Sequence, residues 1–112
     1  MEMFVNELIG KYGFKHLSGE NVDRKIENAY SCDLLSWVMA KGKHDTAWIT
    51  VQTHNNILAV ASLLDFACII IPEGIKVEQE ILDKANEQEV VILSTELDAF
   101  EIFKILYEAG VK

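Results

Sequence analysis

The stretch WITVQTHNNILAVASLLDFACIII, from Trp48 to Ile71, decides the fold. It begins inside TAWITVQ, a β-branched and aromatic run that predicts a strand. It ends on ACIII, a continuous apolar run of the kind a parallel sheet buries on both faces. Between them, from about Asn55 to Asp65, Ile57, Leu58, Val60, Leu63 and Leu64 leave almost no polar side, with Ala59 and Ala61 filling the gaps. Such a helix is buried on more than one side, inside the domain or at a subunit contact. Strand, helix and strand in that order form a βαβ unit. Where the first strand meets the helix, Gln52, Thr53, His54, Asn55 and Asn56 form an unbroken polar run. A helix cap needs a single oxygen. The run is therefore either a cap with polar neighbours or a ligand site.

The same alternation extends outward. Phe4, Val5, Leu8, Ile9 and Tyr12 make one helical stripe, and Gly13 is placed to end it in a left-handed turn. FKHLSG reads as a short, weak strand, and KIENAYSC as a second one with Ile26 and Tyr30 on one face. Asp33 is the expected N-cap of a helix whose stripe is Leu34, Leu35, Val38 and Met39, with Trp37 off the stripe. After ACIII, Pro72-Glu73-Gly74 marks a turn, and a helix from about Val77 to Glu87 presents Val77, Ile81, Leu82 and Ala85. EVVILST is the last strand. Thr95, with Asp98 three residues on, resembles a capping box for a final helix carrying Leu97, Phe100, Phe103, Leu106 and Tyr107, which Gly110 ends. The expectation is one α/β domain over residues 1–112, with a mostly parallel sheet and helices on both faces.

Bulk properties narrow the function. With 112 residues, half of them hydrophobic, the chain can bury a core without staples. A net charge of −8 and ten scattered Lys and Arg argue against nucleic acid or an anionic membrane surface as partner. A small anion is a different matter, because helix dipoles can outweigh net charge inside a pocket. The two cysteines, Cys32 and Cys68, lie far apart, with no CxxC and no zinc spacing, and read as reduced thiols. MEMFVNELIGKYG is acidic and amphipathic, unlike a signal peptide, and no apolar run approaches a membrane span. The expected location is the cytoplasm, and no metal or cofactor is expected.

In an open parallel sheet, ligands bind at the carboxyl edge of the strands. The polar residues expected on that edge are Asp33, then Gln52, Thr53, His54 and Asn55, then Ser94 and Thr95. These are the ligand-binding candidates, although Asp33, Thr53 and Thr95 also suit as N-caps, each worth roughly 1 kcal/mol. Catalytic motifs are missing: there is no P-loop, GxGxxG, HExxH or GxSxG. The expectation is a non-enzymatic domain. The alternative is a small phosphoryl- or acyl-transfer enzyme using Cys32, His54 or Ser94. The all-apolar helix and Trp37 leave surplus apolar surface, which predicts a homodimer.

AYSCDLLSWVM, AWITVQTHNNILAVASLLDFACIIIPEG and ILSTELDAFEIFKILYEAGV, in this order and spacing, resemble the DRTGG domain family. The resemblance runs from about residue 23 to the end. Asp23-Arg24 correspond to the start of the naming motif, whereas Asn28-Ala29 stand in place of its glycines. Small stand-alone members are often labelled serine kinases of HPr. The resemblance implies a fold similar to the N-terminal domain of HPr kinase/phosphorylase, whose catalytic P-loop lies in another domain. It also implies a regulatory, dimerising module, found in other members beside CBS domains that bind adenine nucleotides. The clustered polar strand ends and the missing catalytic motifs make the expected effector a small anionic ligand or a protein partner, and the resemblance adds an adenine nucleotide as the ligand to consider.

Overall fold

A computed structural model describes residues 2–111. The elements follow in the order α1 (Val5–Gly10), β1 (Lys15–Ser18), β2 (Asn28–Ser31), α2 (Leu35–Lys41), β3 (Thr46–Ile49), α3 (Asn56–Leu63), β4 (Cys68–Ile71), α4 (Gln79–Glu87), β5 (Ile92–Ser94) and α5 (Ala99–Glu108). One five-stranded sheet has the order β1-β5-β4-β3-β2. The pairs β2–β3, β3–β4 and β4–β5 are parallel, and β1 closes the far edge antiparallel to β5. The mostly parallel α/β domain read from the sequence is therefore the observed fold.

Alternation along the strands divides the core in two. Ala47, Ile49, Cys68, Ile70 and Leu93 face α1 and α5, packing on Val5, Leu8, Ile102 and Leu106. Trp48, Ile69, Ile71 and Ile92 face α2, α3 and α4, packing on Val38, Ile57, Leu58 and Ala85. Because β2 to β5 are laid down side by side in one direction, the three helices joining them fall on one face. Every residue of β4 is buried, as its unbroken apolar run requires.

Several local expectations are overturned. The first residue of α2 is Leu35 and its N-cap is Leu34, so Asp33 does not cap it. Asn55, not Thr53, is the N-cap of α3. Asp98 caps α5, its Oδ1 accepting from the Glu101 amide at 2.9 Å, whereas the Thr95 hydroxyl accepts from the Leu97 amide inside the preceding loop. In each case the helix starts later than the first cap-like residue, and the loop uses the side chains of Asp33 and Thr95 for itself. Helix α5 buries Ile102 and Leu106 and leaves Phe100 (72%) and Tyr107 (65%) exposed. Its apolar residues exceed one stripe, and the sheet surface, not the count of apolar residues, selects the phase. On α2 only Val38 is buried, while Leu34, Met39 and Trp37 are exposed; the exposure of Trp37 agrees with its place off the stripe. Leu63 is likewise exposed, so α3 is buried over less of its circumference than its composition implies. Ile26 precedes β2 and joins the α1–α5 side, whereas Tyr30 packs on the opposite side.

Gly19 ends β1 where no other residue fits. Its φ is +77°, and a Cβ there would lie 2.7 Å from the Val91 Cα. From it the chain crosses the amino end of the sheet to reach β2.

Candidate functional site

The parallel strands end on a common edge, and the candidate residues along it fall into three separate groups. At the ends of β2 and β3, Asp33 Oδ1 accepts from Thr50 Oγ1 at 2.7 Å and from the Val51 amide at 2.9 Å. Gln52 returns the link, donating through Nε2 to the Asp33 carbonyl at 3.0 Å. The Thr50 hydroxyl also accepts from the Gln52 amide, which satisfies a nearly fully buried side chain that the sequence did not single out. This cluster stitches two strand ends together. Asp33→Ala is expected to cost about 1–2 kcal/mol by orphaning the Thr50 hydroxyl and the Val51 amide. A urea titration that shows no loss would mean that solvent replaces the carboxylate without cost.

The second group is Thr53, His54 and Asn55, which line an open depression of about 360 Å³ with Glu78, Glu80 and Ile81. His54 Nδ1 accepts from the Asn56 amide at 3.3 Å, so the turn itself uses one ring nitrogen. Two glutamates on the opposite wall make this depression unfavourable for an anion.

The third group lies between β4 and β5. Helix α4 leaves β4 toward one face of the sheet, and α5 leaves β5 toward the other. Adjacent strands whose connections diverge open a crevice at their carboxyl ends, the place where α/β sheets hold ligands. Here the two loops are tied at their base: the Glu73 amide donates to Leu97 O and the Gly74 amide to Thr95 O, both at 2.9 Å. Two adjoining cavities of about 250 and 230 Å³ flank this tie and share Lys15, Ser94 and Glu96. The first continues over Ile75, Val77 and Leu82 to Lys76; the second reaches Thr95 and Tyr12. Lys15 is there because β1 runs antiparallel, pairing Lys15 with Ser94. Neither Lys15 nor Lys76 makes an ion pair among the described residues. Sequence reasoning found Ser94 and Thr95, placed Glu96 in the same polar junction without choosing it as a candidate, and missed Lys15 and Lys76. A lysine two residues past the Pro72-Glu73-Gly74 turn was the available signal for Lys76, whereas Lys15 needed the strand order.

The cysteine alternative finds little geometric support. Cys32, His54 and Ser94 lie at the carboxyl ends of β2, β3 and β5, and at roughly 4.8 Å per strand the outer two stand about 14 Å apart. Cys32 Sγ donates to the Leu34 carbonyl at 3.8 Å. Burial pushes the Cys68 thiol up to about 12, an inert core group. Among the described residues there is no cluster of three or more His, Cys, Asp or Glu that could hold a metal ion. No helix among them is long and apolar enough to cross a membrane.

Two features lie outside the carboxyl edge. At the amino edge Arg24 ties two left-handed turns together. Its Nε donates to Asp45 Oδ1 at 2.7 Å, its Nη1 to the Phe66 carbonyl at 3.1 Å, and its Nη2 to the Asp65 carbonyl. On the outer side of α5, Phe100, Phe103, Tyr107, Ala29 and Val111 line an apolar groove of about 570 Å³, with Lys104 as its charged member.

The architecture is an α/β sheet with an open crevice where the connections of two adjacent parallel strands diverge. The DRTGG domain model matches residues 33–109, more than half of the chain, and the chain belongs to that family. The matched stretch starts at Asp33, so Asp23-Arg24 and Asn28-Ala29 lie outside it. Among solved structures, the chain is similar to the CBS and DRTGG domains of the regulatory region of Clostridium perfringens pyrophosphatase, crystallised with its activator diadenosine tetraphosphate. The TM-score is 0.76 at 11% identity, covering 95% of this chain and 46% of that one. At this identity the likeness is one of fold, and the chain spans less than half of its neighbour's length. No curated protein matches the chain.

Proposed function

We propose that this chain is a non-enzymatic regulatory domain, cytoplasmic and homodimeric, that senses a small anionic ligand in the crevice between β4 and β5. The observation that carries the reading is the pair of uncommitted cations, Lys15 and Lys76, on that crevice in a chain of net charge −8. Lys43 and Lys104 also lack an ion pair among the described residues, and what sets Lys15 and Lys76 apart is that both line one crevice at the carboxyl edge of the sheet. Ser94 adds a hydroxyl between the lobes, and Thr95 adds one whose oxygen is used by Leu97 while its proton remains free to donate. Thr53, His54, Asn55, Asp33 and Gln52 belong to the neighbouring ends of the same edge and contribute to its shape. An adenine nucleotide is the first ligand to try, since the structural neighbour was crystallised with an adenine dinucleotide. A protein partner is the effector if no small anion binds. The family resemblance to the N-terminal domain of HPr kinase/phosphorylase fits a regulatory role without kinase chemistry. The exposed aromatic groove on α5 supports self-association.

A thermal-shift screen with AMP, ATP and pyrophosphate tests the ligand. A bound anion at a hundred times its Kd stabilises the native state by about 2.7 kcal/mol. Lys15→Ala combined with Lys76→Ala is expected to weaken binding by roughly a hundredfold, as two charged hydrogen bonds are lost. Unchanged binding in the double variant would move the ligand out of this crevice.

A further inference from the structure

The crevice holds a third charge that an anion alone does not explain. Glu96 lines both lobes beside Lys15 and Ser94. Among the described residues its carboxylate makes no hydrogen bond and no ion pair, in contrast to Asp33 and Asp98 on the same edge. The backbone makes room for it. Gly74 has φ +67°, and a Cβ there would lie 2.6 Å from Glu96 Oε1. The carboxylate thus lies over bare backbone, within one groove that also contains two lysines, and is paired with neither.

Opposite charges that share a groove without touching are best satisfied by a molecule that meets both. A wholly acceptor-bearing anion would gain from Lys15 and Lys76 but be repelled by Glu96, all three being exposed side chains on the rim of the same crevice. A ligand that carries a hydrogen-bond donor as well as an anionic group gains from all three. We propose that Glu96 is the specificity-determining residue of this crevice, selecting anions that also present an amine-type donor. This rests on the reading of the crevice as an anion site. The discrimination arises in the way that sites built for a donor reject analogues lacking it, through a carboxylate left unpaired.

Calorimetric titration of the whole chain with AMP and with purine riboside monophosphate tests it, since the second lacks only the exocyclic amine. The wild-type chain is expected to bind AMP about tenfold or more tightly. In Glu96→Gln the ratio is expected to fall to about threefold, and in Glu96→Ala to about one, since the charged acceptor is gone. Equal affinities in the wild type, with both lost in the Lys15/Lys76 double variant, would overturn the role of Glu96 and leave the anion site standing. Silence with both nucleotides and with pyrophosphate would remove the anion site as well, and the selection with it.

Discussion

Trp48→Ala is expected to cost about 4 kcal/mol, a large part of the 5–15 kcal/mol that stabilises a domain of this kind. Trp48 is fully buried in the central part of the sheet. Its ring meets Phe66 edge-on, with centroids 5.6 Å apart and planes at 69°. Its Nε1 donates to the Cys32 carbonyl at 2.9 Å, which fastens the end of β2 to β3. Alanine leaves a cavity, an unpaired carbonyl and a ring without its partner. Trp48→Phe keeps an aromatic body against Phe66 and is expected to lose roughly half as much. Urea midpoints of the two variants measure the difference. A shift equivalent to less than about 1 kcal/mol for alanine would mean that the core closes over the gap, contrary to its tight packing.

Arg24→Ala is the second large effect, expected at about 3 kcal/mol, because the side chain is only 20% exposed and two separate turns depend on it. Asp45 and Asp65 both occupy left-handed turns, with φ of 60° and 57°, and the guanidinium bonds to both. The pH dependence identifies the mechanism. Burial pushes the Asp45 carboxyl up, but hydrogen bonds from His44 and Arg24 outweigh it and hold the group below its ordinary 3.8. A carboxyl depressed in the folded state adds stability above its unfolded value, and that stability is lost as pH falls through the folded one. The wild type should therefore lose this contribution below about pH 4, and Arg24→Ala should lose less over the same range. Parallel acid-unfolding curves would show that Asp45 does not depend on Arg24.

The sequence carried the layers of the fold plainly, and the reasons are local. Cys68–Ile71 is apolar without a break, and only a strand buried on both faces accepts that. The helices announced themselves by periodicity, but their starts did not. Asp33, Thr53 and Thr95 each have a cap-forming oxygen and each lies in a loop that claims it or passes it by. The phase of α5 was ambiguous because aromatic residues surround it, and the sheet surface chose Ile102 and Leu106. The edge that bears the candidate residues was legible from the strand-to-helix order. Its division into three groups was not, because it depends on which way α4 and α5 turn after adjacent strands. Lys15 shows the limit most clearly: it is far from Ser94 in sequence and reaches it only through an antiparallel edge strand.

The backbone tie between the loops after β4 and β5 makes α5 a shared component. Its first turn follows the Thr95–Asp98 loop that borders the crevice, and its outer side carries the aromatic groove, all within ten residues. A molecule lodged at one end and a partner seated along the side would bear on the same short rod. If the rod has two seatings, occupancy and assembly are reciprocal: whatever factor the ligand imposes on pairing, pairing returns to the ligand. On the proposed function, concentration of the protein itself would then be an input to the sensor, alongside concentration of the ligand.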